Sequence, residues 1–391
     1  MLDRSAHMKY LIPSLGHLGA RLTSLDASRP WLMYWILNSF SILNLGLNPT
    51  DRQRAIDTIL SFQHPDGGFG GGPDQLAHLA PTFSSISTLT SLLGEANPEL
   101  IKETWSRVKI KKMYEWMISL KQTDGSFLMH KDGEIDVRGT YCALVVASLL
   151  NFLTPDFSFG LSNFISGCQT YEGGLASTSQ SIQINGSDSN QFIRVPLGEA
   201  HGGYTSCGVL SHCLLKSLPG SIEPLDYQAC LRWLALMQAL PIEGGGFRGR
   251  TNKLVDGCYS WWCGGLVQVI EELIEEEERE KDNETTRAEE SFKGLYDRKG
   301  LQEYILLISQ GQAPEPILGG LRDKPTVPPD QYHTHYILSG LSSAQNQHRM
   351  SKEQHKMMKK LVVGVPANQL IPIHPLFNIR SEYVKKTMDY F

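Results

Sequence analysis

The sequence predicts an all-α fold: about six helix pairs in series, closed into a ring of inner and outer helices around a shared cavity. Three observations carry this. Strand-like alternation is scarce, and most apolar positions recur at helical spacing. A Gly-rich turn recurs along the chain, followed each time by an apolar helix that opens on an aromatic residue. The starts of those helices are rich in glycine and their bodies almost wholly apolar, which favours closure around a cavity over an open superhelical scaffold.

In order along the chain, Tyr34 opens the first apolar helix, which runs through Ser39-Phe-Ser-Ile-Leu43. Gln63-His-Pro-Asp-Gly-Gly-Phe69 is the first turn, and Phe83 leads into the buried run Thr88 to Leu93. Gln122-Thr-Asp-Gly125-Ser-Phe127 precedes Tyr141 and the run Leu144 to Leu150. Gln169-Thr-Tyr-Glu-Gly173-Gly-Leu175 precedes Tyr204. Glu243-Gly-Gly-Gly-Phe247 precedes Tyr259, and the weaker Leu318-Gly-Gly-Leu321 precedes Tyr336. Small residues inside these runs let helices approach closely. Two stretches look inserted: residues 177–198, polar and loop-like around Asn-Gly-Ser-Asp-Ser-Asn, and the Glu-rich 271–290, expected to be a solvated helix extension or a disordered loop. Neither breaks the repeat order, so the expectation is one domain over 1–391.

Composition narrows the function classes. With 41% hydrophobic and 20% charged residues, the chain is an ordinary globular one. Its net charge of -5 gives no global basic balance for nucleic acid. Residues 271–290 hold eleven carboxylates and three basic groups, a charge of -8, so the remainder is about +3 and a basic cavity can exist. Seven scattered cysteines without a CxxC pair suit free thiols in a reducing compartment. The first residues lack the apolar run of a secretory signal. The longest apolar stretch, near Cys142 to Leu153, falls short of the ~20 residues a bilayer span needs. A cytoplasmic protein is expected.

The chemistry-bearing residues sit at the helix starts. Arg138-x-x-Tyr141, His201-x-x-Tyr204, Asp256-x-Cys258-Tyr259-x-x-Trp262 and His333-x-x-Tyr336 each place side chains on one helix face. Ring closure would converge these faces on one pocket. Singly, each pair also suits a hydrogen-bonded polar residue beside a core aromatic. Asp256, Cys258 and His333 together offer a carboxylate, a thiolate and an imidazole, a catalytic-type zinc set with a fourth position open; Cys258 is otherwise a small buried apolar residue. Arg250 and Lys253, with His201 and Tyr259, supply donors suited to phosphate oxygens, or else belong to a solvated loop. Trp31 and Trp35 share a face and, with Tyr141, Tyr204, Trp262 and Tyr336, either line a deep apolar tube or are ordinary core.

Several longer motifs settle between these readings. Gly67-Gly-Phe-Gly-Gly-Gly-Pro73, His78-Leu-Ala-Pro-Thr82, Asp124-Gly-Ser-Phe-Leu-Met-His130, Glu199-Ala-His-Gly-Gly-Tyr-Thr205, Asn252-Lys-Leu-Val-Asp-Gly-Cys-Tyr-Ser260, Tyr332-His-Thr334 and Leu338-Ser-Gly-Leu-Ser342 occur in this order. In these the chain resembles the β subunits of protein prenyltransferases, most closely the farnesyltransferase type, from about Leu25 to Ile379. The resemblance implies an α/α toroid and a heterodimer with a separate α subunit. It implies transfer of farnesyl from farnesyl diphosphate to the Cys of C-terminal Cys-aliphatic-aliphatic-X (CaaX) sequences, as on small GTPases, through a zinc-bound thiolate. By motif position, Asp256, Cys258 and His333 look like the Zn²⁺ ligands and Asp323 like the carboxylate that helps place Mg²⁺. His201, Arg250, Lys253 and Tyr259 look like the diphosphate binders. Trp31, Arg138, Tyr141, Tyr204, Cys207 and Trp262 fall where the family lines its isoprenoid pocket, with Trp35, Tyr332 and Tyr336 bordering lipid and peptide.

Chain length is argued sterically: the indole of Trp31 would stop a 20-carbon isoprenoid. The type I geranylgeranyltransferase β subunit, the nearest alternative, looks to have a smaller residue there and no carboxylate matching Asp323. A terpene cyclase would need a DxDD or DDxxD motif, and neither occurs. A non-catalytic helical scaffold would carry no stoichiometric metal. Three positions depart from the family pattern. Phe83 stands where Tyr is usual, which keeps ring volume and should keep 15-carbon preference. His335 replaces a smaller residue and would either add an imidazole near the zinc or cover the cavity. Val327 stands where a basic residue near the diphosphate is common.

Overall fold

A computed structural model of the chain describes residues 1–16, 18–184, 191–220, 222–282, 295–310, 319–348 and 357–391. The helices in chain order are α1 (Arg4–Gly16), α2 (Arg29–Ile42), α3 (Pro49–Leu60), α4 (Leu79–Leu93), α5 (Pro98–Arg107), α6 (Ile110–Ser119), α7 (Val137–Leu149), α8 (Pro155–Ser158), α9 (Leu161–Ser166), α10 (Gly202–Lys216) and α11 (Tyr227–Met237). They continue with α12 (Leu266–Asp282), entered through a π turn at Ser260–Gly265, then α13 (Arg298–Tyr304), α14 (Gln331–Gln345) and α15 (Ser381–Met388).

Six of these form the inner wall. α2 packs on α4, α4 on α7, α7 on α10, α10 on the π turn before α12, and that turn on α14; α14 packs back on α2 and closes the ring. The sequence explains why these six lie inside. α4 and α7 are buried almost all round, and their small residues (Ser84, Ser87, Gly139, Ala143) fit where helices meet. α3, α5, α6 and α11 bury only one stripe, such as Ile101 and Trp105 of α5. Each inner helix begins at the same rim. Its N-cap is often a side chain that accepts from the first turn: His78, Asp136, His201 and Asp330.

The repeated turn is a latch. Gln63 donates to the Gly67 carbonyl (2.8 Å) and accepts from the Lys109 amide that starts α6 (3.1 Å). Gln169 does the same with Gly173 (2.9 Å) and Asp226 (2.9 Å), and Gln238 with Gly245 (3.0 Å) and Asp297 (2.9 Å). Gly67 and Gly173 hold φ of 118° and 107°, which only glycine adopts freely. In the second copy the latch residue is Lys121, which donates to Gly125 and Phe157 carbonyls (3.0 and 2.8 Å); Gln122 lies one place too close to the turn and bonds Leu120 instead. The fourth latch, Gln238, sits five residues before the Glu243 motif that marks the turn in the sequence. In the last copy Gln310 accepts from the Asp3 amide (2.8 Å), so α1 takes the outer place beside the last repeat.

The first inserted stretch departs from the expected loop, and the second extends a helix as expected but is partly buried. The polar one is a hairpin, β1 (Thr178–Ile184) antiparallel to β2 (Gln191–Leu197), with its central Asn-Gly-Ser-Asp-Ser-Asn outside the described residues. Arg194 fixes it, donating to Ser179 Oγ (3.1 Å) and Asp124 Oδ2 (2.8 Å) over the Phe164 ring. The ladder satisfies the backbone, which a polar composition does not reveal. A second, short hairpin pairs β3 (Asn346–His348) with β4 (Met357–Lys360). The acidic stretch continues α12, whose Val267, Ile270 and Leu273 are buried. It is not simply solvated: Glu271 and Glu272 are buried, and Glu271 accepts from the Leu295 amide (2.6 Å). Residues 283–290 of that stretch lie outside the described residues.

Candidate functional site

The inner helices enclose a cavity of about 460 Å³. Trp31, Tyr34, Phe83, Arg138, Tyr141, His201, Tyr204, Cys207, Tyr259, Trp262, Tyr332 and Tyr336 line it; of the four sets at helix starts, Arg138–Tyr141, His201–Tyr204 and Tyr259–Trp262 meet there with Tyr336, while Asp256, Cys258 and His333 lie outside the wall. Its wall is a chain of aromatic contacts. Trp31 lies 5.4 Å from Phe83 and 5.7 Å from Trp35; Phe83 lies 5.6 Å from Tyr141; Trp262 lies 4.5 Å from Tyr336. Burial of these rings makes the inner part of the cavity apolar and suited to hydrocarbon.

Beside the mouth, donor atoms of Asp256, Cys258 and His333 lie within 4.8 Å of one another, the one group of three such residues among those described. Repeat geometry brings together residues 75 positions apart. Asp256 and Cys258 flank a turn in which the Cys258 amide donates to Asp256 Oδ1 (2.9 Å). His333 sits on the first turn of α14, and Asp330, the N-cap, accepts from both its amide (2.7 Å) and its Nδ1 (2.7 Å). That leaves Nε2 aimed at Asp256 Oδ1, 3.2 Å away, but not aligned as a hydrogen bond. A buried imidazole nitrogen without a hydrogen-bond partner, facing a thiol and a carboxylate, fits a metal with three protein ligands and an open position. Burial works against charge on His333, yet Asp256 and Asp330 outweigh it and push it up to about 9. Burial would also raise Asp256, but His333 and the Cys258 amide hold it below the usual carboxylate range. Burial, with Asp256 adding to it, pushes the Cys258 thiol well up. A metal cation reverses these preferences by favouring thiolate and neutral imidazole.

Of the anion-binding candidates, His201 and Tyr259 line the cavity. Tyr259 and His201 meet at 3.1 Å. Burial, then the Arg138 charge, depresses His201. Arg250 pairs with Glu199; burial pushes the Tyr259 hydroxyl well up, and the Arg250 charge offsets this only in part. Lys253 is exposed on the same turn. Neither Arg250 nor Lys253 lines the cavity wall. Arg138 is clamped by Asp136, through Nε to Oδ1 (3.1 Å) and Nη2 to Oδ2 (2.6 Å). The Asp323 carbonyl accepts from the Gly257 amide (2.8 Å), next to the metal-competent turn. One of its carboxylate oxygens is held by Lys324 and the other is buried without a partner, and burial raises its pKa. A single carboxylate of this kind suits Mg²⁺, which binds through one or two carboxylates plus substrate phosphates.

Of the departures, Phe83 keeps its place in the aromatic wall, and His335 is not beside the metal group. His335 is fully buried against Tyr34 and Tyr336, with ring centroids 4.8 and 4.6 Å away, and accepts from Asn38 (2.9 Å). Four contributors escaped sequence reasoning. Asp330 was signalled only by its N-cap spacing to His333. Glu199, the hydrogen bond from Trp262 Nε1 to Tyr332 OH (3.0 Å) and the cavity-lining Asn378 depend on distant packing and left no local signal.

Fold and site together define a helical toroid with a metal-competent thiol site at the mouth of a blind apolar shaft. The family model of the prenyltransferase alpha-alpha toroid domain matches residues 2–379. The protein farnesyltransferase subunit beta of Pisum sativum is 35% identical over 410 residues, spanning 93% of this chain and 89% of its own. That of Pyricularia oryzae is 35% identical over 415 residues, spanning 100% and 74%. A solved structure, Candida albicans protein geranylgeranyltransferase-I complexed with GGPP, shares the fold at a TM-score of 0.69 over 99% of both chains, with 20% identity. The chain belongs to the prenyltransferase family of α/α toroids, among the protein farnesyltransferase β subunits. Among the described residues, no helix is long and apolar enough to cross a membrane.

Proposed function

We propose that this chain, as one domain over 1–391, is the catalytic β subunit of a cytoplasmic protein farnesyltransferase. It acts with an α subunit and transfers farnesyl from farnesyl diphosphate to the cysteine of a C-terminal CaaX sequence. The observation that carries this is the meeting, at one mouth, of Asp256, Cys258 and His333 with a cluster of donors and an apolar shaft. Asp256, Cys258 and His333 would hold zinc, whose contribution when bound is to lower the pKa of an incoming thiol so that it reacts as thiolate.

The chain's own residues do the rest. The aromatic wall takes the isoprenoid and excludes water from it. His201, Tyr259, Arg250 and Lys253 hold the diphosphate at the rim, so that C1 faces the thiol site. Charge grows on the leaving diphosphate as its bond to C1 breaks, and donors already in place stabilise that charge more than the ground state. Asp323 would share Mg²⁺ with the phosphates. Trp31 and Asp323 favour farnesyl over the geranylgeranyl alternative. The test is co-expression with a farnesyltransferase α subunit, metal analysis, and transfer assays with both isoprenoid diphosphates. About one zinc per heterodimer and preferential farnesyl transfer are expected; a metal-free complex without transfer would leave the scaffold reading.

A further inference from the structure

The residues able to ligate a metal come from two stretches of chain that are far apart in sequence. Asp256 and Cys258 precede the π turn at Ser260–Gly265, and His333 lies on the first turn of α14. A bound ion tolerates little slack, because its ligand atoms must hold bonding distance to within a few tenths of an ångström. The start of α14 therefore has to be fixed against the Cys258 turn.

Trp262 and Tyr332 meet between the two stretches. Trp262 lies one turn beyond Cys258, with its amide donating to the Cys258 carbonyl (3.4 Å), and Tyr332 adjoins His333. Trp262 Nε1 donates to Tyr332 OH at 3.0 Å. Ring contacts surround this bond: Trp262 lies 4.5 Å from Tyr336, Tyr332 lies 4.8 Å from Tyr336, and Trp35 lies 5.4 Å from Tyr332. Burial of rings is non-directional, so these contacts alone allow small sliding. A hydrogen bond weakens steeply when misaligned, so it fixes direction as well as distance. An indole N–H can only donate, so the Tyr332 oxygen accepts and its own hydrogen is left to donate. The Cys258 sulfur lies beside that hydroxyl. Burial, then Asp256, push the Cys258 thiol up, and the Tyr332 hydroxyl opposes them by favouring the thiolate.

We propose, on the reading of Asp256, Cys258 and His333 as a zinc set, that the Trp262–Tyr332 hydrogen bond is a clamp that fixes His333 against Cys258 and so sets how tightly the ion is held. Trp262 and Tyr332 act here as positioning residues, through the ligands to which they are joined, besides lining the cavity. Breaking the bond leaves the Trp262 N–H unpaired in an aromatic wall and frees the start of α14 to shift.

The test uses the complex with the α subunit and measures zinc affinity by chelator competition, together with the thiolate-to-metal absorption band after cobalt substitution. Tyr332→Phe removes one hydroxyl and keeps the ring. It is expected to weaken zinc binding about tenfold or more and to move the cobalt band. Trp262→Phe should weaken zinc similarly, and the double variant no further than the weaker single one, since both remove the same bond. Tyr141→Phe is the control. It deletes another hydroxyl of the same wall, one that donates to the Leu376 carbonyl (2.7 Å), and should keep the wild-type zinc affinity. An unchanged zinc affinity or an unmoved cobalt band in Tyr332→Phe overturns the clamp. Additive losses in the double variant overturn it too, as does an equal loss in Tyr141→Phe, which would mean general loosening. A wild-type complex that holds no zinc overturns the zinc reading and the clamp together, whereas about one zinc in wild type with unmoved variants overturns the clamp alone.

Discussion

His333 shows how one side chain is prepared by its neighbours. Asp330 occupies Nδ1, so only Nε2 can ligate, as carboxylates bonded to the far nitrogen of a metal-binding histidine commonly arrange. If the proposed zinc is held by this set, Cys258→Ala should lose it outright, measured by metal content of the purified complex. At the rim, Arg250→Ala should lower turnover by ~10²–10³, roughly 3–4 kcal/mol, if its cation meets the leaving group; full turnover would remove it from the mechanism. His335 gives a pH prediction. The unfolded chain protonates this histidine near ~6.5 and the folded chain only near 3, so the unfolded state binds more protons between these values. Its share of stability is complete above pH ~6.5 and lost as pH falls toward 3. Melting temperature should thus fall less steeply between pH 7 and 4 in His335→Leu than in wild type.

Between elements, close approach matters more than composition. Gly340 of α14 faces the π turn that follows Cys258, and a Cβ there would stand 2.1 Å from Ser260 Oγ and 2.5 Å from its backbone. Gly340→Ala should push α14, and His333 with it, away from Asp256 and Cys258. A cost of ~1–3 kcal/mol is expected, visible as a lower melting temperature together with weaker zinc retention in a chelator titration. This level also marks what the sequence could disclose. Turns, apolar inner helices and the Asp256–Cys258–His333 set were legible because a repeat places equivalent positions at equivalent depths. The exchange of Gln for Lys121 was not, since either side chain reaches the same carbonyl and only the +4 spacing to Gly125 tells them apart. Nor was the hairpin at Thr178–Leu197, whose anchor, Arg194 to Asp124, spans 70 residues.

Over the whole molecule, the ring is joined by its own beginning. Leu2 donates to Asn368 (2.8 Å), Asp3 to Gln310 (2.8 Å), Arg4 to the Leu43 carbonyl (2.7 Å) and Tyr10 to the Pro329 carbonyl (3.0 Å). α1 therefore touches first and last repeats together. Deleting residues 1–16 removes the burial of Leu2 and Leu11, about 3–6 kcal/mol at ~1.5–3 kcal/mol each. The expected outcome is a lower melting temperature with partial loss of zinc; unchanged melting would mean that the other contacts suffice. The seven cysteines are all unpaired and buried, so no disulfide contributes to closure.

The common rim at which the inner helices begin has one further effect. Parallel peptide dipoles sum, so the mouth is ringed by the positive ends of helices while the opposite end faces carbonyls. Within about one turn of those helix starts, the dipoles add to the basic side chains in favouring an anionic head at the mouth over one at the carbonyl end. Backbone and basic side chains thus favour the same polarity from one end of the ring to the other.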